Sequence, residues 1–205
     1  YRIRLKRELK ISEQESVQQE NRLRALYDVA SITGLSFDEQ ITGVLRAGCD
    51  LLGAEIGRVC EIDVENQKNI IRNVVAPDNY NIKSGMKLPL EKTFCSVTFK
   101  EERGVIVNHA GKSEWRNSPC YQFSRLETYI AAVIIVDGEK HGTINYSSLK
   151  PREIPFKETD MDLVKLMGRR VSVILERRMA QEEIINAKLI AEDASKAKSS
   201  FLAKM

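Results

Sequence analysis

Residues 128–148 read TYIAAVIIVDGEKHGTINYSS, and this stretch decides the fold class. Two apolar runs flank DGEKHG, and Asp137-Gly138 is a strong two-residue turn signal. The stretch therefore predicts an antiparallel hairpin with one strand on each side of the turn. A second hairpin is expected upstream, where EIGRVCEID (55–63), a polar VENQKN turn and IIRNVVAP (70–77) follow one another. VIVNHA (105–110) adds a short strand. LPLEKTFCSVTFKEERG (88–104) predicts a short helix at about 91–102, and GKSEWRNSPCYQFSRLE (111–127) a loop with a short helix.

Helices bracket these strands. LSFDEQITGVLRAGCDLLG (35–53) places Ile41, Leu45, Cys49 and Leu52 on one face, so Cys49 reads as a small core residue. Residues 2–33 lack Pro and Gly, and Leu5, Leu9, Ser12, Ser16, Gln19, Leu23, Leu26 and Ala30 follow heptad spacing with a polar middle. After LKPREIP, Thr159 is expected to cap a helix with Asp162 as its return partner. From there to Met205 no Pro interrupts the chain, which predicts a helix of roughly 70 Å. Met167, Val171 and Ile174 form one stripe on it. Ile190, Ala194, Ala197 and Phe201 form another, offset from the first by a non-integral number of heptads. Two readings follow. The offset stores a rotation within one coiled coil, or the first half packs on its own sheet and only the second half dimerises.

The element order is α+β, with five or six mainly antiparallel strands, both flanking helices on one face, and long helices at both ends. Composition agrees: 42% hydrophobic residues suffice for a core, and 32 Lys plus Arg against 29 Asp plus Glu predict no strong pull toward nucleic acid. The four Cys, at 49, 60, 95 and 120, show no zinc spacing and suit a reducing, cytoplasmic setting. No apolar run is long enough to span a bilayer. The basic opening YRIRLKRELK fits either a solvated helix face or the cytoplasmic flank of an upstream membrane tether.

LPLEKTFCSVTFKEERGVIVNHA, YIAAVIIVDGEKHGTINYSS and PFKETDMDLVKLMGRRVSVILERR, in this order, resemble a GAF domain of bacterial sensor histidine kinases. The resemblance spans roughly residues 23–178. Its most specific part is DG-x-x-x-GT-x-N (Asp137, Gly138, Gly142, Thr143, Asn145) followed by F-x-x-x-D (Phe156, Asp160). The final AKSSFLAKM (197–205) is similar to the segment that in such kinases directly precedes the Ser-His-Glu carrying the phosphoacceptor His. The resemblance thus implies an input coil at 1–22, a GAF domain at 23–178, and an output helix at 179–205 leading to a kinase core beyond Met205. His109 and His141 fall in a loop and a hairpin, so neither is the acceptor, and this stretch is expected to lack kinase activity. ATP and a response regulator would be partners of the kinase core only. A parallel homodimer is expected through Leu23, Leu26 and Ala30 and through Ile190, Ala194, Ala197 and Phe201.

The family's ligand site lies on the sheet face away from the terminal helices. The matching positions here are Phe94, Cys95, Trp115, Cys120, Tyr121, Phe123, Tyr129 and Asn145, whose aromatic and amide groups would suit a small heterocyclic ligand. The resemblance requires no particular cofactor. The family's cyclic-nucleotide signature is missing. Cys120 has the offset of a bilin-linking Cys, but Tyr121 stands where that group's His belongs. The two His lack the spacing for haem, iron or another metal. Cys95 is expected near a helix start, with Lys92 a turn away, facing Cys120 across a pocket mouth as a redox pair or simply packing. Two alternatives stay open: a stand-alone ligand-binding GAF module, and a thiol-dependent reductase of the same fold.

Overall fold

The structure, a computed structural model, describes residues 35–101 and 103–202. The expected N-terminal coil, with Leu23, Leu26 and Ala30, lies outside the described residues, as do the side chains of Ala194, Ala197 and Phe201.

Ser36 opens the first described helix, α1 (Phe37–Leu52), with a capping box. Its hydroxyl accepts from Glu39 N, and the Glu39 carboxylate accepts from Ser36 N at 2.8 Å. Gly53, in the left-handed region at φ 58°, ends the helix. Ile41, Leu45, Cys49 and Leu52 are all buried, as their spacing predicts. Strands β1 (Ile56–Asp63) and β2 (Lys68–Val75) form the first hairpin. A short edge strand, β3 (Lys87–Pro89), follows; three residues ending in Pro give too little periodicity to be seen in sequence.

The expected helix at 91–102 is split. A 3-10 turn spans Leu90–Lys92, and helix α2 (Phe94–Lys100) begins after Thr93, which is extended at ψ 146°. Strand β4 (Val105–Val107), two 3-10 turns and helix α3 (Pro119–Ser124) lead to strands β5 (Thr128–Val136) and β6 (Glu139–Ser148). Asp137 and Gly138, at φ 48° and 82°, form the turn between them, a conformation that Gly tolerates without penalty. The six strands lie in the order β3-β2-β1-β6-β5-β4, every neighbouring pair antiparallel. This is the α+β architecture the sequence implies.

The last helix, α4, runs Glu158–Leu202. Thr159 does not cap it. Lys157 N donates to Asp160 Oδ2 at 2.9 Å, so the return partner is Asp160, two residues before the expected Asp162. The F-x-x-x-D motif acquires a physical role here. Phe156 is buried under the Arg152 guanidinium, 4.2 Å from its ring centre, and Asp160 closes the first turn.

Alternation along the central hairpin sorts side chains between two cores. Ile130, Ala132, Ile134, Val136, Ile144 and Tyr146 face α1 and α4, where they meet Ile41, Leu45, Met167, Val171 and Ile174. Tyr129 and Ala131 face the opposite side, toward α2 and α3. Met167, Val171 and Ile174 therefore pack on the chain's own sheet. That is the packing the second reading of α4 expects for its first half; the side chains of Ala194, Ala197 and Phe201 in the other stripe lie outside those described.

Candidate functional site

The distal face of the sheet, away from α1 and α4, holds a buried polar cluster. Gly142 makes it possible. A Cβ there would lie 2.0 Å from the Cys60 carbonyl oxygen, so only glycine lets β6 approach the irregularity in β1 at Val59/Cys60. The next two odd-numbered residues of β6, Thr143 and Asn145, are fully buried. The G-T-x-N part of the motif thus sets a close strand approach and then places two polar side chains.

Arg58 Nε donates to Asn145 Oδ1 at 3.0 Å, and both residues are buried. This bond orients the amide. Asn145 Nδ2 is left directed at two sulfurs, Cys60 Sγ and Cys95 Sγ, each 3.7 Å away. Tyr129 Oη lies 3.0 Å from Thr98 Oγ1 and 3.7 Å from Cys95 Sγ. The hydrogen bond from the Cys60 thiol, together with the Arg58 charge, holds Cys95 below the ordinary thiol range despite burial. The same bond, together with burial, raises Cys60. Burial pushes Tyr129 well above the usual phenol value.

Beside this cluster, Phe94 stacks on Tyr129 with centroids 5.1 Å apart and meets Trp115 edge-on at 5.5 Å. Glu127 ties down the loop that carries Trp115. Its carboxylate accepts from Tyr121 Oη at 2.7 Å and from Gly111 N at 3.1 Å, and lies 3.6 Å from His109 Nε2.

Seven of the eight nominated residues therefore sit on this side of the sheet, in two groups: Cys95, Tyr129 and Asn145 in the polar cluster, and Phe94, Trp115, Cys120 and Tyr121 in the adjoining aromatic core. Phe123 is not among them; it is 47% exposed, because α3 turns that face outward. The expected Cys95–Cys120 pairing at a pocket mouth is also corrected. Both thiols are buried, Cys120 Sγ points to Glu91 O at 3.8 Å, and Cys95 Sγ shares the Asn145 amide with Cys60 Sγ. The sequence reading missed Arg58, Cys60 and Thr98. The available signal was Arg58 itself, a cation within an apolar strand two residues before Cys60.

An open cleft of about 370 Å³ lies between the first turn of α1, the first hairpin and α4, and Cys60 of the polar cluster is among its lining residues. None of the eight residues lines it, and its arginines are already paired: Arg72 with Glu61 at 2.7 Å, Arg178 with Glu182 at 2.9 Å and with Asp38 at 3.4 Å. Among the described residues no cluster of three or more His, Cys, Asp or Glu is placed to hold a metal ion. Nor is any described helix long and apolar enough to cross a membrane.

A family model described as GAF domain matches residues 34–176. The chain belongs to the GAF domain family. Solved structures share its fold. The GAF domain of an Acinetobacter phosphoenolpyruvate-protein phosphotransferase superposes with a TM-score of 0.64 at 13% identity, covering 82% of this chain and 98% of that one. The phycoerythrobilin-bound GAF domain of a cyanobacterial phytochrome gives 0.65 at 11% identity, covering 80% and 99%. Free methionine-R-sulfoxide reductase from Neisseria meningitidis, in complex with its substrate, gives 0.61 at 13%, covering 81% and 93%. Among curated proteins, none matches the chain. At these identities the structural likeness speaks for the GAF fold alone.

Proposed function

We propose that this chain is the sensory and relay region of a dimeric two-component sensor histidine kinase on the cytoplasmic side of the membrane. Residues 1–22 serve as input, 23–178 as the GAF body and 179–205 as the output helix. A response regulator is the partner of the kinase core that follows.

The observation that carries this reading is α4. It runs 45 residues, about 67 Å at the α-helical rise, far beyond what its own sheet can cover. Every residue from Ala180 to Asp193 is exposed, including Ile184, Ile185, Leu189 and Ile190. Leu166 and Val173, 45% and 44% exposed, begin a seven-residue repeat that Ala180 and Ala187 continue and that the sequence extends to Ala194 and Phe201. A second copy in parallel covers this seam and brings two output helices to one kinase core. The likeness of AKSSFLAKM to the segment before a phosphoacceptor His supplies the rest.

The central hairpin offers the route from site to output. Asn145 faces the polar cluster, while its neighbour Tyr146 faces α4 and places its hydroxyl 3.1 Å from Met167 Sδ and 3.3 Å from Val44 O. A small ligand at the distal face, or a strain passed along the helices, shifts output only by favouring one arrangement of this hairpin over another.

Autophosphorylation of the full parent chain with labelled ATP tests the assignment. Acid-labile, alkali-stable phosphate on a His shortly after Met205 is the expected product. A parent chain that continues into anything else, or takes no such phosphate, overturns it.

A further inference from the structure

The geometry points to Cys60 and Cys95 as a modification site, a buried dithiol that a small peroxide converts to a disulfide joining β1 to α2. This stands independently of the kinase reading.

The two thiols are 35 positions apart in sequence, yet each is 1% exposed and both sulfurs are brought to the same side-chain amide in the core. One amide nitrogen, Asn145 Nδ2, serves both sulfurs at 3.7 Å, and Arg58 fixes that amide by holding its oxygen at 3.0 Å. Arg58 also presents a charge question. It is 8% exposed, and among the described residues no carboxylate lies within 4.0 Å of it. A buried guanidinium without a counter-charge is unfavourable. The acidic side chains in its field are the Cys60 and Cys95 thiols and the Tyr129 phenol, and of the three only Cys95 is held below its ordinary range. A thiolate held by a fixed cation, an amide N–H and a neighbouring thiol is the reactive form of cysteine.

The other two thiols lack this setting. Cys49 lies in the core under α1, where burial pushes it up to about 11, and burial also raises Cys120.

The chemistry balances with hydrogen peroxide as oxidant. The Cys95 thiolate attacks one peroxide oxygen, the O–O bond breaks, and hydroxide leaves to be protonated to water. Cys95 becomes a sulfenic acid. The Cys60 sulfur then attacks the Cys95 sulfur, the S–O bond breaks, and the departing hydroxide takes the Cys60 proton as a second water. Two thiols lose two electrons, and the peroxide becomes two waters. The new bond would fix α2 at the residue next to Phe94, which packs on Trp115.

The test exposes the folded chain to hydrogen peroxide, alkylates remaining thiols after denaturation, and maps peptides by mass spectrometry. The expected product is one cross-linked peptide pair containing Cys60 and Cys95, lighter by two hydrogens, with Cys49 and Cys120 alkylated. Cys95 is expected to be lost faster than Cys49 by on the order of tenfold. Cys60→Ser should halt the reaction at a Cys95 sulfenic acid that a dimedone probe captures. Cys95 reacting no faster than Cys49, or a disulfide involving Cys120, overturns the assignment. The wild-type map decides this even if the variant fails to fold.

Discussion

Phe94→Ala, compared with Phe123→Ala, separates packing from pocket on the distal face. Both phenylalanines fall in stretches where the family's ligand contacts lie, yet the structure assigns them opposite environments. Phe94 is 2% exposed, stacked on Tyr129 and in edge contact with Trp115; Phe123 is 47% exposed. Truncating a fully buried Phe removes its transfer free energy and leaves a cavity, together about 3–5 kcal/mol. The aromatic contacts are part of that figure and are not added to it. For a domain of this size each kcal/mol moves Tm by about 2–4 °C, so Phe94→Ala should melt about 6–20 °C lower. Phe123→Ala should stay within about 0.5 kcal/mol of the wild type. Urea unfolding followed by circular dichroism gives both numbers. Trp115 fluorescence should change in Phe94→Ala before any unfolding, since the ring edge facing Trp115 is gone. A loss below about 1.5 kcal/mol for Phe94→Ala, or equal losses for the two variants, would refute the packing argument.

Glycine substitutions test the close strand approach: Gly142→Ala should abolish folding or cost several kcal/mol, because its Cβ meets the backbone oxygen of Cys60. Gly43→Ala, in a helix interior with nothing within 4 Å, should stabilise by about 0.5–1 kcal/mol in the same urea assay. Alkaline titration followed by phenolate absorbance reads the buried tyrosines. Tyr129 and Tyr146 have folded pKa values raised by burial, so their stabilising contribution is full below the ordinary value near 10 and is lost as pH rises above it. They should ionise only as the protein unfolds, while exposed phenols titrate earlier; smooth titration of all phenols in the folded protein would contradict their burial.

The fold was largely legible because the strongest local signals coincide with its centre. The Asp137-Gly138 turn fixes the β5–β6 register, and the spacing of Ile41, Leu45, Cys49 and Leu52 fixes which face of α1 is buried. The start of α4 was misplaced because Thr159 and Asp160 are both plausible cap partners in sequence; the backbone N–H of Lys157, which needs an acceptor, decides for Asp160. The site was legible by composition and not by pairing. Tyr129 and Asn145 face the distal side as read from the hairpin. Cys60 was missed because β1 is buried on both faces from Ile56 to Cys60, so alternation does not show which face a residue joins. Its meeting with Cys95 depends on the irregularity at Val59/Cys60 and on the space left by Gly142, and neither is a property of spacing between cysteines.

The central claim, a parallel dimer transmitting through α4, is tested most directly by cross-linking through Ala187→Cys. Ala187 is exposed and lies on the seam that Leu166 and Val173 begin, while Glu192 is exposed on the opposite side of the helix. The four native thiols are buried, so oxidation of the Cys60–Cys95 pair stays within one chain and gives no covalent dimer. The account predicts a covalent dimer from Ala187→Cys within minutes and little from Glu192→Cys. No cross-link from Ala187→Cys, or equal cross-linking from both positions, would contradict it.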